Sequence, residues 1–340
     1  MRPCMLCSYP SPRQSQRSLI GTHLFQSQTD RIDVPGSSFR IRHKRLASAY
    51  FRVSARSGIV PKSSSWPRST GSFRMRESSI HQTFGRVAFG LDPAGYDAAR
   101  PMYPDWVFDF LRERCGLVPN TVTFEIGAGT GKATRRLLEL GANPLVAVEP
   151  DERLAAFLRE TIPDEALTVV VAPFEDAVLQ KASFDLGLSA TAFHWLDEDF
   201  ALARVAELLR PGGWWVMLWN VFGDSGRPDP FHEATRKLLG APLSPSAGNG
   251  DVPFALDAEA RLAALERTGA FDNVEHRTST WSLALDPDQT VALYATYSNV
   301  NIRPDREEVL SKLRRIACHE FQGCVTRNMS TSLYVARRRS

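Results

Sequence analysis

The sequence reads VTFEIGAGTG over residues 122–131, where an apolar run meets three alternate glycines. Residues 122–126 have the composition of a buried strand, and the residues after the glycines have the apolar spacing of a helix. Glycines at a strand-to-helix turn let a ligand lie against bare backbone. Any larger residue in place of Gly127, Gly129 or Gly131 is therefore expected to fill the space of the ligand. A turn without a ligand needs only one or two glycines. We therefore interpret this loop, with Glu125 and Ala128, as a binding site.

The spacing of the glycines and a downstream acid narrow the choice of ligand. A dinucleotide fingerprint requires G-x-G-x-x-G, but Lys132 stands three residues after Gly129. Glu149 ends the next apolar stretch, followed by Pro150. A carboxylate at that edge of an α/β sheet accepts hydrogen bonds from both hydroxyls of a ribose. The pattern therefore favours a nucleotide-like ligand and argues against a dinucleotide.

Strand-like and helix-like stretches alternate from Tyr96 onwards, which is typical of a parallel sheet covered by helices on both faces. Besides 122–126, strands are predicted at 145–148, 167–171, 184–189, 214–219, 274–281 and 332–336. Asp105 and Asp151 are expected to cap helices. Residues 223–255 are dense in Gly, Pro, Ser and Asp and too long for an ordinary connection. They are expected to form either a lid or a disordered loop.

The charge of the chain divides into two unlike parts. Residues 1–76 contain 14 Lys/Arg and two acids, whereas residues 77–340 contain 27 Lys/Arg and 36 acids. An acidic body argues against a nucleic-acid partner, because binding to phosphates requires a basic surface. No apolar run is long enough to cross a membrane, and no secretory signal is recognised. A small-molecule partner fits better, and nothing in the sequence indicates an oligomeric state.

Residues 1–76 form a basic, Ser-rich flank without sustained periodicity, and residues 77–340 are predicted to form the working domain. The flank is interpreted as a disordered or mis-started segment with Met75 as the working start, as an organelle-targeting peptide, or as a partner-binding arm. Five scattered cysteines favour a reducing compartment, and a cytoplasmic location is expected unless the flank directs the chain to an organelle. Cys4 and Cys7 have half of a zinc-site spacing, but no second pair follows, so no metal is predicted.

With these motifs in order, residues 94–220 resemble class I S-adenosylmethionine-dependent methyltransferases, and most closely the methyltransferase type 11 group. The glycine loop is similar to the first motif of that family. The stretches VAPFED at 171–176, SATAFHW at 189–195 and LLRPGG at 208–213 look like its later motifs. The resemblance implies a Rossmann-like doubly wound sheet of about seven strands, mostly parallel with an antiparallel last strand. It also implies S-adenosyl-L-methionine as the cofactor.

The resemblance assigns further residues to the cofactor site. Phe174 and Glu175 would line the adenine pocket, although Pro173 stands where many members have an Asp that bonds the adenine amino group. Ala190 would lie at the edge of the fourth motif. Tyr96 and Arg100 resemble a Y-x-x-x-R-P segment that folds over the methionine end of the cofactor, where an arginine fork binds a carboxylate. Ordinary packing roles stay open for Phe174 and for the segment with Tyr96 and Arg100.

The predicted reaction is transfer of a methyl group to a small-molecule acceptor by in-line displacement, in which the enzyme supplies distance, angle and exclusion of water. His194 is a candidate base, because an imidazole accepts a proton near neutral pH, but a structural histidine is an equally good interpretation. Two other functions remain open at this stage. One is a non-catalytic protein that binds S-adenosylmethionine, and the other is a nicotinamide oxidoreductase, which shares the sheet but not the glycine spacing.

Overall fold

The computed structural model describes residues 89–223, 227, 229–240, 244–248 and 252–340. The predictions for the flank 1–76, including Met75, Cys4 and Cys7, lie outside the described residues. No helix in the described part of the chain is both long and apolar enough to cross a membrane.

In the described ranges, seven strands form one sheet in the order β3-β2-β1-β4-β5-β7-β6. The strands are β1 (Thr121–Ile126), β2 (Ala142–Val148), β3 (Leu167–Val170), β4 (Phe184–Ala190), β5 (Leu209–Phe222), β6 (Phe271–Leu285) and β7 (Val325–Arg338). Strands β1 to β5 pair in parallel, and β7 pairs antiparallel with both β5 and β6. The fold class, the strand count and the antiparallel last strand are confirmed.

Helices cover both faces of this sheet and its carboxyl edge. The helices are α1 (Pro93–Ala99), α2 (Asp105–Cys115), α3 (Lys132–Glu139), α4 (Glu152–Thr161), α5 (Glu198–Leu208), α6 (Pro230–Leu239), α7 (Ala258–Arg267), α8 (Pro287–Ala295), α9 (Ser298–Asn301) and α10 (Arg306–His319). Two apolar clusters fill the two faces of the sheet, around Leu145 and Leu186 on one side and around Phe124 and Trp215 on the other. Consecutive β-α-β steps therefore build the frame that the sequence predicted.

The ends of two helices test the capping expectations. The side chain of Asp151 accepts a hydrogen bond from the Arg153 backbone N–H and caps α4, as predicted. Asp105 is instead the first helical residue of α2, and the capping position belongs to Pro104, which has no side-chain hydrogen bond to offer. The expectation for Asp105 was wrong by one position, because an acid in the first turn also interacts favourably with the positive end of the helix dipole.

Strands β5, β6 and β7 are much longer than the sequence predicted. The expected strands at 214–219, 274–281 and 332–336 are the central parts of runs of 14, 15 and 14 residues. Their far ends carry a third apolar cluster, which includes Phe231, Leu293 and Leu313. Helices α6, α8 and α10 contribute to this cluster and form a layer that we call the cap. Helix α6 lies within segment 223–255, so a packed helix occupies part of the predicted lid or loop.

Candidate active site

A cavity of about 420 Å³ lies at the carboxyl edge of the parallel strands, between that edge and the cap. Open α/β sheets bind ligands at this edge, and small-molecule sites usually have volumes of this order. Of the predicted site residues, these line the cavity: Tyr96, Arg100, Glu125, Gly127, Ala128, Gly129, Glu149, Pro150, Phe174, Ala190 and His194. Gly131 and Glu175 lie outside its wall. The structure therefore brings eleven of the thirteen predicted residues to one place.

The three glycines of the loop serve different purposes. All three have positive φ angles, of 68°, 58° and 86° at Gly127, Gly129 and Gly131, which favours glycine. A Cβ on Gly127 would lie 2.4 Å from the Cβ of Ala192, and one on Gly131 would lie 2.4 Å from Leu158. A Cβ on Gly129 would meet no atom within 4 Å. The expectation that all three leave room for a ligand is therefore corrected, because only Gly129 does so, and the other two leave room for protein packing.

Glu149 is held by the backbone on both sides. Its Oε2 accepts a hydrogen bond from the Gly129 N–H at 2.8 Å, and its Oε1 accepts one from the Asp151 N–H at 2.9 Å. Burial raises the pKa of this carboxyl to about 7, despite the two backbone donors. Each oxygen keeps one further lone pair for a ligand donor. This arrangement fits the two hydroxyls of a ribose, and it links Glu149 directly to the glycine loop.

Glu125 lies beneath the loop at the end of β1, where only 1% of its surface is exposed. Its Oε2 accepts a hydrogen bond from the Thr134 hydroxyl at 2.6 Å. Burial is the main cause that raises the pKa of Glu125 to about 8, and the nearby charge of Glu149 acts in the same direction. Two buried carboxyls thus border the half of the cavity next to the glycine loop, where the oxygens of Glu149 favour a ligand with hydrogen-bond donors.

Phe174 is both a core residue and part of the cavity wall. It belongs to the apolar cluster on one face of the sheet, and the Arg204 guanidinium lies 5.1 Å from its ring centroid. Phe174 therefore packs in the core and also borders the cavity, and its place in an adenine pocket stays a prediction. Pro173, in contrast, supplies no side-chain acceptor for an adenine amino group.

The segment with Tyr96 and Arg100 closes over the glycine loop. The Lys132 Nζ, at the start of α3, donates a hydrogen bond to the backbone oxygen of Asp97 in α1 at 2.6 Å. Arg100 donates from Nε to the Thr296 Oγ1 at 2.8 Å and from Nη2 to the Thr296 oxygen at 3.2 Å. The segment therefore bridges the loop and the cap, so it does more than pack on the sheet edge.

The sequence around this cavity is similar to that of known proteins. Residues 124–217, which include the glycine loop, Glu149, Phe174 and His194, match the family model of a methyltransferase domain, the type 11 group. This segment is a class I S-adenosylmethionine-dependent methyltransferase domain. Its cofactor is S-adenosylmethionine, and the open face of Gly129 beside the Glu149 carboxylate fits the sugar of that cofactor.

The methyltransferase domain has curated relatives in fungi and bacteria. A methyltransferase-like protein of Schizosaccharomyces pombe is 32% identical over 155 residues, which cover 45% of this chain and 57% of the relative. A methyltransferase of Mycobacterium tuberculosis is 36% identical over 138 residues, which cover 39% of this chain and 52% of the relative. The chain thus spans about half the length of the curated relatives that it matches.

Solved structures of low sequence similarity also match. A Haemonchus contortus phosphoethanolamine N-methyltransferase 2 aligns with 14% identity and a TM-score of 0.47, over 74% of this chain and 58% of that chain. The Bacillus subtilis YcgJ protein aligns with 13% identity and a TM-score of 0.47, over 70% of this chain and all of the other.

His194 of the methyltransferase domain is poorly suited to act as a base. Its Nδ1 accepts a hydrogen bond from the Trp219 indole N–H at 3.2 Å. Burial, and then the charge of Arg100, lower the pKa of His194 to about 3. The imidazole is therefore neutral near pH 7, with its proton on Nε2, from which it donates rather than accepts. The geometry favours the structural interpretation, with the Trp219 indole as the partner of the imidazole.

The far half of the cavity was missed by the sequence reasoning. It is lined by Asn220, Phe222, His232, Tyr294, Tyr297 and Arg327, which come from β5, the cap and β7. These residues belong to no short motif. Arg327 and Asp229, which form an ion pair at 2.7 Å, lie 98 positions apart. The sequence signal nearest to it was the long segment 223–255, which was expected to form either a lid or a disordered loop.

Proposed function

We propose that this chain transfers the methyl group of S-adenosylmethionine to a small-molecule acceptor that binds in the far half of the same cavity. The observation that carries the proposal is the continuity of the cavity. One wall holds Gly129 and Glu149, which suit the cofactor, and the opposite wall is made by the cap, which suits a second molecule. Transfer by displacement requires two ligands that meet end to end in a site closed to water.

The cofactor half would hold its ligand through groups that are already in place. Glu149 would accept the ribose hydroxyls with the lone pairs that the Gly129 and Asp151 backbone leaves free. Phe174 would pack against the adenine, and Arg100 would face the methionine carboxylate. When bound, the cofactor supplies a sulfonium-activated methyl group, so attack on the methyl carbon breaks its bond to sulfur and leaves S-adenosylhomocysteine.

The protein side of the reaction is mainly positioning. The cap and the segment with Tyr96 and Arg100 would exclude water and fix the approach of the acceptor. The His194 Nε2–H would donate a hydrogen bond to the acceptor and would not remove its proton. An acceptor that is already a nucleophile, such as a carboxylate or a neutral amine, requires no base.

The size and charge of the site support a small acceptor. The volume of about 420 Å³ falls within the range of small-molecule sites. The acidic balance of residues 77–340 is unfavourable for a nucleic-acid backbone.

The experiment compares two glycine variants of the full chain. Gly129→Arg places a side chain in the cavity, whereas Gly116→Arg places one at the exposed C-terminus of α2. Both glycines have positive φ angles and open space around a Cβ, so the backbone strain is matched. Isothermal titration calorimetry should show binding of S-adenosylhomocysteine to the parent and to Gly116→Arg, with at least a hundredfold weaker binding to Gly129→Arg.

Turnover is measured with methyl-labelled cofactor and a metabolite extract. The parent chain and Gly116→Arg should release a labelled small molecule, and Gly129→Arg should not. Undiminished binding of S-adenosylhomocysteine to a folded Gly129→Arg chain would contradict the placement of the cofactor. Tight binding by the parent without any labelled product would contradict the proposed catalysis.

A further inference from the structure

The far half of the cavity contains a buried cation whose hydrogen bonds are incomplete. Arg327 of β7 is 2% exposed, yet it lines the cavity. Its Nε donates to the Asp229 Oδ2 at 2.7 Å, and its Nη1 donates to the Tyr294 hydroxyl. Within the described residues, Nη2 donates no well-aligned hydrogen bond, and the Tyr297 hydroxyl is its neighbour. A buried guanidinium nitrogen with unused N–H groups favours a ligand that accepts hydrogen bonds.

Asp229 fixes the direction of this guanidinium and has little capacity left to accept further hydrogen bonds. Its Oδ2 also accepts from the Asn328 N–H at 3.3 Å, and its Oδ1 accepts from the His232 N–H at 3.0 Å. Asp229 thus has two roles, because it caps the N-terminus of α6 and also pairs with Arg327. Because these bonds hold the ion pair in the fold, Nη2 keeps one orientation without a ligand.

A second group with incomplete hydrogen bonds lies beside the first. The Tyr297 hydroxyl is buried and lines the cavity, and among the described residues it forms no well-aligned hydrogen bond, although the Arg327 guanidinium lies close enough to interact with it. A buried hydroxyl without a well-aligned partner is unfavourable, so its presence needs an explanation. A ligand that accepts from both Tyr297 and Arg327 would satisfy the two donors at once.

The surroundings of these donors are aromatic. The guanidinium carbons of Arg100 and Arg327 lie 5.5 Å and 5.6 Å from the Phe222 ring centroid. Arg100 forms its hydrogen bonds with Thr296 and has no carboxylate partner among the described residues. Arg100 is the group proposed to face the methionine carboxylate, so Arg327 is the cation that remains for a second ligand. Its donors beside the apolar ring of Phe222 favour a ligand that has oxygen acceptors and an apolar body.

We propose that the methyl acceptor carries a carboxylate, which the Arg327 Nη2 and the Tyr297 hydroxyl bind while Phe222 contacts its apolar part. The assignment rests on the proposed function, because it treats the far half of the cavity as the acceptor site. One guanidinium nitrogen and one hydroxyl match the two oxygens of a carboxylate. A phosphate offers three oxygens and more charge than these two donors satisfy.

The test measures binding to the full chain saturated with S-adenosylhomocysteine. Probes are phenylacetate, 4-methylpentanoate and glutarate, each beside its amide, with phenylphosphonate as the phosphate-like probe. At millimolar concentration, at least one acid should bind about tenfold more tightly than its amide, because a hydrogen bond to a charged group is stronger than one to a neutral group. Binding of S-adenosylhomocysteine itself is measured first, so a failure of the proposed function is seen separately.

Two variants remove the hydrogen-bond donors of Tyr297 and Arg327 and are designed to leave the fold intact. Tyr297→Phe deletes a hydroxyl that forms no well-aligned hydrogen bond with the described residues, so the chain should fold about as stably as the parent. The double variant Arg327→Met with Asp229→Asn removes the ion pair without leaving a lone buried charge. Both should lower the affinity for the acid about tenfold and leave the amide and S-adenosylhomocysteine unaffected. Arg337→Met, at an exposed position of the same strand, is the matched control. It should leave the affinities for the acid, the amide and S-adenosylhomocysteine unchanged.

Three results would overturn the assignment once S-adenosylhomocysteine binds. The first is that no acid binds better than its amide. The second is that phenylphosphonate binds better than every carboxylate. The third is that the preference for acids survives in both Tyr297→Phe and the double variant.

Discussion

Replacement of Glu125 by Gln should make the stability of the chain less dependent on pH. Glu125 is buried beneath the glycine loop, and burial raises its pKa from 4.5 to about 8. The native state therefore keeps a proton on this carboxyl that the unfolded state releases at lower pH. Because the native state binds more protons across this window, stability falls as pH rises from about 4.5 to about 8. This pH dependence of stability has the opposite sign to that produced by a carboxylate in an ion pair.

The size of the effect follows from the two pKa values. Linkage with 1.36 kcal/mol per pKa unit gives a loss of about 3 kcal/mol from Glu125 between about pH 5.5 and about pH 8.5. Glu149, whose pKa burial raises to about 7, adds about 2 kcal/mol over the same interval. Gln keeps an oxygen that accepts from the Thr134 hydroxyl, so the substitution removes the ionisation and preserves the contact.

Urea denaturation of the full chain without cofactor at the two pH values provides the measurement. The parent should lose about 3 kcal/mol more of its free energy of unfolding than Glu125→Gln does between the two pH values. Glu113→Gln, at an exposed position of α2, is the control and should follow the parent. Equal pH dependence in the parent and in Glu125→Gln would refute the idea that burial keeps this carboxyl protonated.

Two further predictions concern packing and the histidine. Gly187→Ala should lower the free energy of unfolding by about 1–3 kcal/mol in urea, because the new Cβ would lie 2.3 Å from the Phe124 ring; a change below about 0.5 kcal/mol would show that the ring moves aside freely. His194→Gln should lower kcat/KM less than tenfold, since the imidazole is neutral and held by Trp219. A decrease of kcat/KM by a factor of about 10² to 10⁴ would instead indicate that His194 acts as a general base.

The cofactor half of the site was predictable because its determinants are local in sequence. The loop from Glu125 to Gly131 and the acid at Glu149 belong to one β-α-β step, in which strand, turn and helix each leave a pattern in the sequence. The parallel pairing of β1 with β2 then brings the ends of both strands to one edge. Composition and spacing therefore located the residues before any coordinate was known.

Individual roles were less predictable than positions. The sequence showed that Gly127, Gly129 and Gly131 were needed, but only the neighbours of each Cβ show which one faces a ligand. His194 was placed correctly at the cavity, yet its protonation depends on burial and on an indole 25 positions away. A reference pKa from model peptides describes an exposed imidazole and so overestimated its capacity to accept a proton.

The acceptor half could not be predicted for a related physical reason. Its key contacts join Arg100 to Thr296 across 196 positions and Arg327 to Asp229 across 98 positions. They form only because β5, β6 and β7 extend beyond the parallel strands and support the cap. The cofactor half is thus built by the βα steps that the family model matches, whereas the far wall comes from a C-terminal region beyond residue 217. Substitutions in that wall should change which acceptor binds while the affinity for the cofactor stays the same.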